Sequence, residues 1–209
     1  MPALQNHPFF VSMEAWREAS LAGWRCFLEK WPHEKLVAMT FACYIVGEDP
    51  DTFCEDIVRD PDAFSSIAGG SPRKFGMYYS KARAAYILGD EPVCMLDEDF
   101  EVLIAFLLDT VHAAEKEDWV ELRRCYENRG LVYPILFWRL VELYQPIERP
   151  YLLPVCREKV LKEIYGGEFK DAFAIQQDFG RRVRISGDYW AEAWKATMPL
   201  REGPRPRRN

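Results

Sequence analysis

The chain has 209 residues, 49% of them hydrophobic and 29% charged, with a formal net charge of -6. That is enough apolar material for a packed core, and it excludes collagen-like, low-complexity and wholly disordered classes. No apolar run approaches the roughly 18 residues that a membrane-spanning helix needs. The opening residues 1–7 lack the basic flank and long apolar stretch of a secretory signal, so a cytoplasmic location and no membrane partner are expected. Six cysteines, at positions 26, 43, 54, 94, 125 and 156, form no CxxC pair and read as reduced thiols.

Charge divides the chain. Residues 1–148 hold 14 Lys and Arg against 25 Asp and Glu, whereas residues 149–209 hold 13 against 8. Asymmetry of this size suggests different partners for the two portions. The change falls at Tyr144-Gln145-Pro146-Ile147-Glu148-Arg149-Pro150, where two prolines stop a helix and stiffen a connection. The expected organisation is an acidic all-helical bundle over 1–145, a basic module over 150–198 and a disordered Arg/Pro tail over 199–209.

Helical spacing dominates the acidic portion. Ser12 is a plausible N-cap for a helix from Met13 to Trp31, and Pro32 opens a second with Leu36, Val37, Phe41, Tyr44 and Ile45 on one face. Three cap-and-proline starts follow eleven residues apart, at Asp49-Pro50, Asp60-Pro61 and Ser71-Pro72. The last opens an expected helix carrying Phe75, Tyr78, Tyr79, Ala82 and Tyr86 as far as Gly89. Residues 97–114 are apolar over more than half of their circumference and belong at the centre. Asp118 starts a helix ending near Gly130, and Pro134–Tyr144 is apolar nearly all round. No alternating strand or hairpin dipeptide stands out here, so the fold class expected is mainly α.

The acidic portion offers little chemistry. His7, His33 and His112 are far apart, the cysteines lack ligand spacing, and there is no GxGxxG or GxxxxGK[ST]. The acidic cluster Asp97, Glu98, Asp99 and Glu101 suits a helix N-terminus. No catalytic residue, metal or cofactor is expected.

The basic portion reads differently. Val155, Val160, Leu161 and Ile164 make an apolar stripe on a helix from near Pro154, leaving Arg157, Lys159 and Lys162 on its surface, and Gly166-Gly167 ends it. Arg182 and Arg184 then alternate with Val183 and Ile185 at the period of a strand, with Phe173 and Ile175 as a partner strand and Asp178-Phe179-Gly180 near the turn. Ser186 or Asp188 caps a closing helix with Trp190 and Trp194 facing inward.

Helix, glycine, small basic hairpin and tryptophan helix together resemble the winged helix-turn-helix DNA-binding family of phage excisionases and MerR-type regulators. Cys156-Arg157-Glu158-Lys159-Val160 stands where that family has its recognition helix, and Gly180-Arg181-Arg182-Val183-Arg184-Ile185 resembles its wing. The resemblance covers about 45 residues. It departs from the family in that Pro150 interrupts the place of the first helix and the stretch from Phe169 to Gly180 is long. It implies a short β-hairpin in the module and double-stranded DNA as partner. Arg157, Lys159 and Lys162 would face the major groove, with Arg181, Arg182 and Arg184 in the wing. A non-enzymatic accessory or regulatory protein of a phage or mobile element would be a natural host, its bundle serving dimerisation or partner binding.

Two other readings stand beside it. Arg181, Arg182 and Arg184 can instead form a solvated edge or dock on the chain's own acidic portion. The whole can equally be a helical protein-interaction factor, such as an inhibitor of a defence complex or a chaperone, without nucleic-acid binding.

Overall fold

A computed structural model describes residues 12–46, 51–59, 71–93, 96–166 and 169–202. Helices dominate, and several start where the sequence supplies a capping side chain. The helices are α1 (Met13–Lys30), α2 (His33–Val37), α3 (Phe41–Tyr44), α4 (Phe53–Arg59), α5 (Leu96–Glu115), α6 (Trp119–Glu127), α7 (Pro134–Tyr144), α8 (Glu158–Ile164), α9 (Ala172–Ser186) and α10 (Tyr189–Glu202). Ser12 Oγ accepts from the Ala15 amide at 3.2 Å to start α1, and Asp118 Oδ1 accepts from Val120 and Glu121 at 3.1 and 3.0 Å to start α6. Pro134 stands at the first position of α7, where its missing N–H costs nothing. The helix expected from Pro32 breaks at Ala38, and Thr40 caps a new one, α3.

The mainly helical expectation holds, with a small antiparallel sheet, but the sheet lies elsewhere in the chain than expected. The expected helix from Pro72 to Gly89 is instead a 3-10 turn (Pro72–Phe75) followed by β1 (Met77–Ser80), β2 (Ala85–Leu88) and β3 (Glu91–Pro92), in the order β1-β2-β3. Gly76, at φ 77°, takes the backbone out of the helical region, and tyrosines at 78, 79 and 86 suit a pleated surface better than a helix interior. Tyr79 pairs with Tyr86 across the ladder, their rings 5.2 Å apart. Residues 49, 50, 60 and 61 lie outside the described residues, while Ser71 does cap the 3-10 turn.

The second correction concerns the basic portion. The hairpin expected around Gly180 is one helix, α9. Asp171 Oδ1 caps it by accepting from the Ala174 amide at 2.9 Å, and Gly187, at φ 73°, ends it. Ala172, Ile175, Gln176, Phe179, Gly180 and Val183 are all buried, which is the three-and-four spacing of a helix face. Ile185, assigned to a strand's inner face, is 81% exposed. The preceding helix starts at Glu158 rather than near Pro154, so Tyr151–Cys156 forms a buried irregular segment.

Buried residues from α1 to α10 form one apolar cluster. Trp16 of α1 packs on Trp190 and Trp194 of α10 with ring centroids 5.4 and 5.7 Å apart. Leu136 to Tyr144 of α7 are all buried, which makes α7 the central helix; each such apolar side chain contributes about 1.5–3 kcal/mol. The stretch between α7 and Tyr151, where the charge balance changes sign, is crossed by hydrogen bonds. Gln145 Oε1 accepts from the Tyr151 and Leu152 amides at 2.7 and 2.8 Å, and the Tyr189 hydroxyl donates to Leu152 O at 2.9 Å. The buried segment's backbone is thereby satisfied by side chains in place of a ladder. α10 runs through residue 199 to Glu202, and residues 203–209 lie outside the described residues. No helix among the described residues is long and apolar enough to cross a membrane.

Candidate functional site

The six cations singled out in the sequence sit on α8 and α9, but they do not form one open surface. Arg157 is half-buried at the N-cap of α8, near Lys74. Burial, and after it the Arg157 charge, push the Lys74 ammonium below its ordinary pKa. Lys159 and Lys162 are exposed on α8 and form no ion pair among the described residues.

The α9 arginines are engaged within the chain. Arg181 and Arg182 both clasp Asp178, three and four residues back on the same helix, with Arg182 Nη2 at 2.6 Å from Oδ2. Arg184 pairs with Glu117, in the turn between α5 and α6. Asp171 at the start of α9 meets Arg123 of α6 at 3.2 Å. Two ion pairs therefore fasten α9 to the acidic portion. The hairpin assigned to Arg181, Arg182 and Arg184 is absent: these residues lie on a helix, where three guanidiniums share two carboxylates, Asp178 and Glu117.

Burial opposes ionisation of Asp178, yet hydrogen bonds and charge from Arg181 and Arg182 outweigh it and hold the carboxyl below its ordinary pKa. A carboxyl depressed in the folded state stabilises fully above its unfolded value of about 4 and loses that contribution as pH falls through the folded value. Asp178→Asn should therefore lower thermal stability at neutral pH and flatten its decline as pH falls below about 4, as followed by circular dichroism melts.

Where α8, α9 and α10 meet, the surface opens into a cleft of about 430 Å³. Ile164, Tyr165 and Phe179 supply apolar walls, and Arg182, Glu192 and Lys195 bring charge to it. The Arg182 guanidinium carbon lies 5.1 Å from the Tyr165 ring centroid, a cation–π arrangement, and Phe169 packs edge-on to the same ring at 5.4 Å. Burial pushes the Tyr165 hydroxyl pKa up, with the Arg182 charge opposing it. This combination of aromatic wall and separate positive and negative groups can seat an amphipathic side chain and orient it by charge. Among the described residues no group of three His, Cys, Asp or Glu is placed to hold a metal.

Of the six residues chosen from the sequence, only Arg182 lines this cleft. Tyr165, Phe179, Glu192 and Lys195 were missed. The usable signal was the three-residue spacing of Glu192 and Lys195, on a helix whose Trp190 and Trp194 claim a different face. Comparison with known proteins finds no match: no protein-family model, curated protein or solved structure is similar to the chain.

Proposed function

We propose that the protein is a non-enzymatic helical protein-interaction factor, and that the cleft between α8, α9 and α10 holds a segment of its partner. The observation that carries this reading is the engagement of Arg181, Arg182 and Arg184 with Asp178 and Glu117. Three guanidiniums on two carboxylates leave this stretch of α9 one net positive charge with which to neutralise phosphates. The cleft instead favours a partner side chain that is apolar at its body, with a carboxylate nearby for Lys195. A second reading, contact with double-stranded DNA, is favoured by the exposed Lys159 and Lys162 on α8.

Ala196 lines the cleft and is half-exposed while also packing against the core, so Ala196→Trp fills the space, and an unchanged melting temperature of the variant shows that the core tolerates it. A partner recovered from cells on the wild-type protein should be depleted about tenfold on Ala196→Trp, a loss of about 1.4 kcal/mol. A peptide from the recovered partner should show the same ratio in fluorescence anisotropy. Equal retention by both proteins would remove the cleft from the reading. Low-salt duplex binding that Lys159→Ala with Lys162→Ala abolishes would replace it by the second.

A further inference from the structure

On the cleft side of α10 stand two opposite charges that no described residue takes up. Glu192 is half-buried and Lys195 exposed, three residues apart on the helix, with Ala196 beside them. Acid and base at that spacing lie about 5–6 Å apart at their Cβ atoms and ordinarily pair. Here they do not: neither forms an ion pair with the other or with any described residue. Arg182, the third charge in the cleft, is engaged within the chain. It pairs with Asp178, which Arg181 shares, and lies over the Tyr165 ring. Ile164 and Tyr165, at the end of α8, and Phe179 of α9 bring apolar surface from the other two helices. Lys162 and Glu163, just before that wall, are exposed, of opposite sign and outside the lining.

We infer that the cleft selects a three-residue element of its partner, an apolar residue flanked by one base and one acid and held extended. This rests on the reading of the cleft as a partner site and names the chemistry that the site selects. In an extended segment the first and third side chains point the same way, roughly 6–7 Å apart, and the second points the other way. That separation is close to the one between Glu192 and Lys195 on α10. The base of the segment meets Glu192 and its acid meets Lys195. The apolar side chain between them turns toward Ile164, Tyr165 and Phe179, and the small side chain of Ala196 leaves it room. Like charges at both flanks would set acid on acid or base on base at one end, so the pair of opposite charges also fixes the register of the segment.

Capped peptides of one frame, Gly-Ser-X-Leu-Z-Ser-Gly, serve as probes in chemical-shift titrations of the full chain. Positions X and Z carry Lys and Glu in both orders, two Glu, two Lys or two Gln. The tighter of the two mixed peptides should bind the wild-type protein about fivefold more strongly than any like-charged or neutral one. Glu192→Lys should move the preference to the doubly acidic peptide, and Lys195→Glu to the doubly basic one, by similar factors. Each new preference also shows that its variant is folded. Equal binding of all the peptides, or a wild-type preference for two like charges, would overturn the inference. If Ala196→Trp still weakens those peptides, the cleft remains a partner site and only its charge selection is lost. No binding of any peptide at about 1 mM would also overturn the inference, while the partner recovered from cells decides the wider reading separately.

Discussion

Replacing Glu142 by alanine is expected to cost about 3–5 kcal/mol of folding stability, enough to bring the melting temperature down by roughly 10 °C or more. Arg139 of α7 has no exposed surface and Glu142 is 4% exposed. Arg139 Nη1 donates to Glu142 Oε2 at 2.9 Å, and the buried Cys156 thiol donates to the same oxygen at 3.0 Å. This carboxylate therefore joins the central helix to the segment that carries the chain into α8. Its charge also reaches the Tyr189 hydroxyl, whose pKa is pushed well up first by burial and then by Glu142. Removing the carboxylate takes from a fully buried guanidinium the charge that faces it at 2.9 Å, the costly half of a buried pair. Joint replacement by Arg139→Met and Glu142→Leu keeps the volume without either charge and should cost much less than the single change. Urea unfolding read at constant slope separates the two cases: a clear fall in midpoint for Glu142→Ala, and a small one for the apolar pair.

The elements that sequence reading recovered are those whose signals are local and redundant. Ser12, Asp118 and Pro134 mark helix starts by chemistry confined to one turn, and the apolar faces behind them agree. Where two periods compete over a short window, the reading failed. Arg182-Val183-Arg184-Ile185 alternates for four residues, which suits a strand, while Ala172, Ile175, Gln176, Phe179 and Val183 keep helical spacing over twelve. The longer pattern wins because it buries more surface, and Ile185 is left in solvent. From Pro72 to Gly89 the error ran the other way: helical spacing of aromatics hid a hairpin that Gly76 and Gly89, both at positive φ, make possible. The candidate site inherits the first mistake. Once α9 is a helix, Asp178 is the natural partner of Arg181 and Arg182 at three and four residues, and that pairing was legible. Arg184 and Glu117 are 67 residues apart, and nothing local announces their contact. The cleft depends on how three helices meet, which no single segment encodes.

Gly180 tests the corrected fold, and Gly180→Val should destabilise the protein by about 2–3 kcal/mol. A hairpin would need this glycine at a turn, for its backbone freedom. In α9 it has no such role, and a valine in solvent would suit the helix no worse than glycine does. Its function is clearance. A Cβ placed at Gly180 would meet Tyr151 O at 3.0 Å. The carbonyl has little room to retreat, because Gln145 holds the Tyr151 and Leu152 amides and Gln176 both donates to and accepts from Leu153. Tyr151 is further fixed by its own hydroxyl, which donates to Ala114 O at 2.8 Å. Gly187 provides the contrast: at φ 73° it needs its backbone freedom, but a Cβ there would meet nothing within 4 Å. Gly187→Ala should therefore cost only about 1–2 kcal/mol, the penalty of a left-handed residue. Chemical unfolding of the two variants side by side measures the difference. A Gly180→Val protein as stable as the wild type would mean that α9 does not lie against Tyr151, and the cleft wall built on Phe179 and Arg182 would go with it.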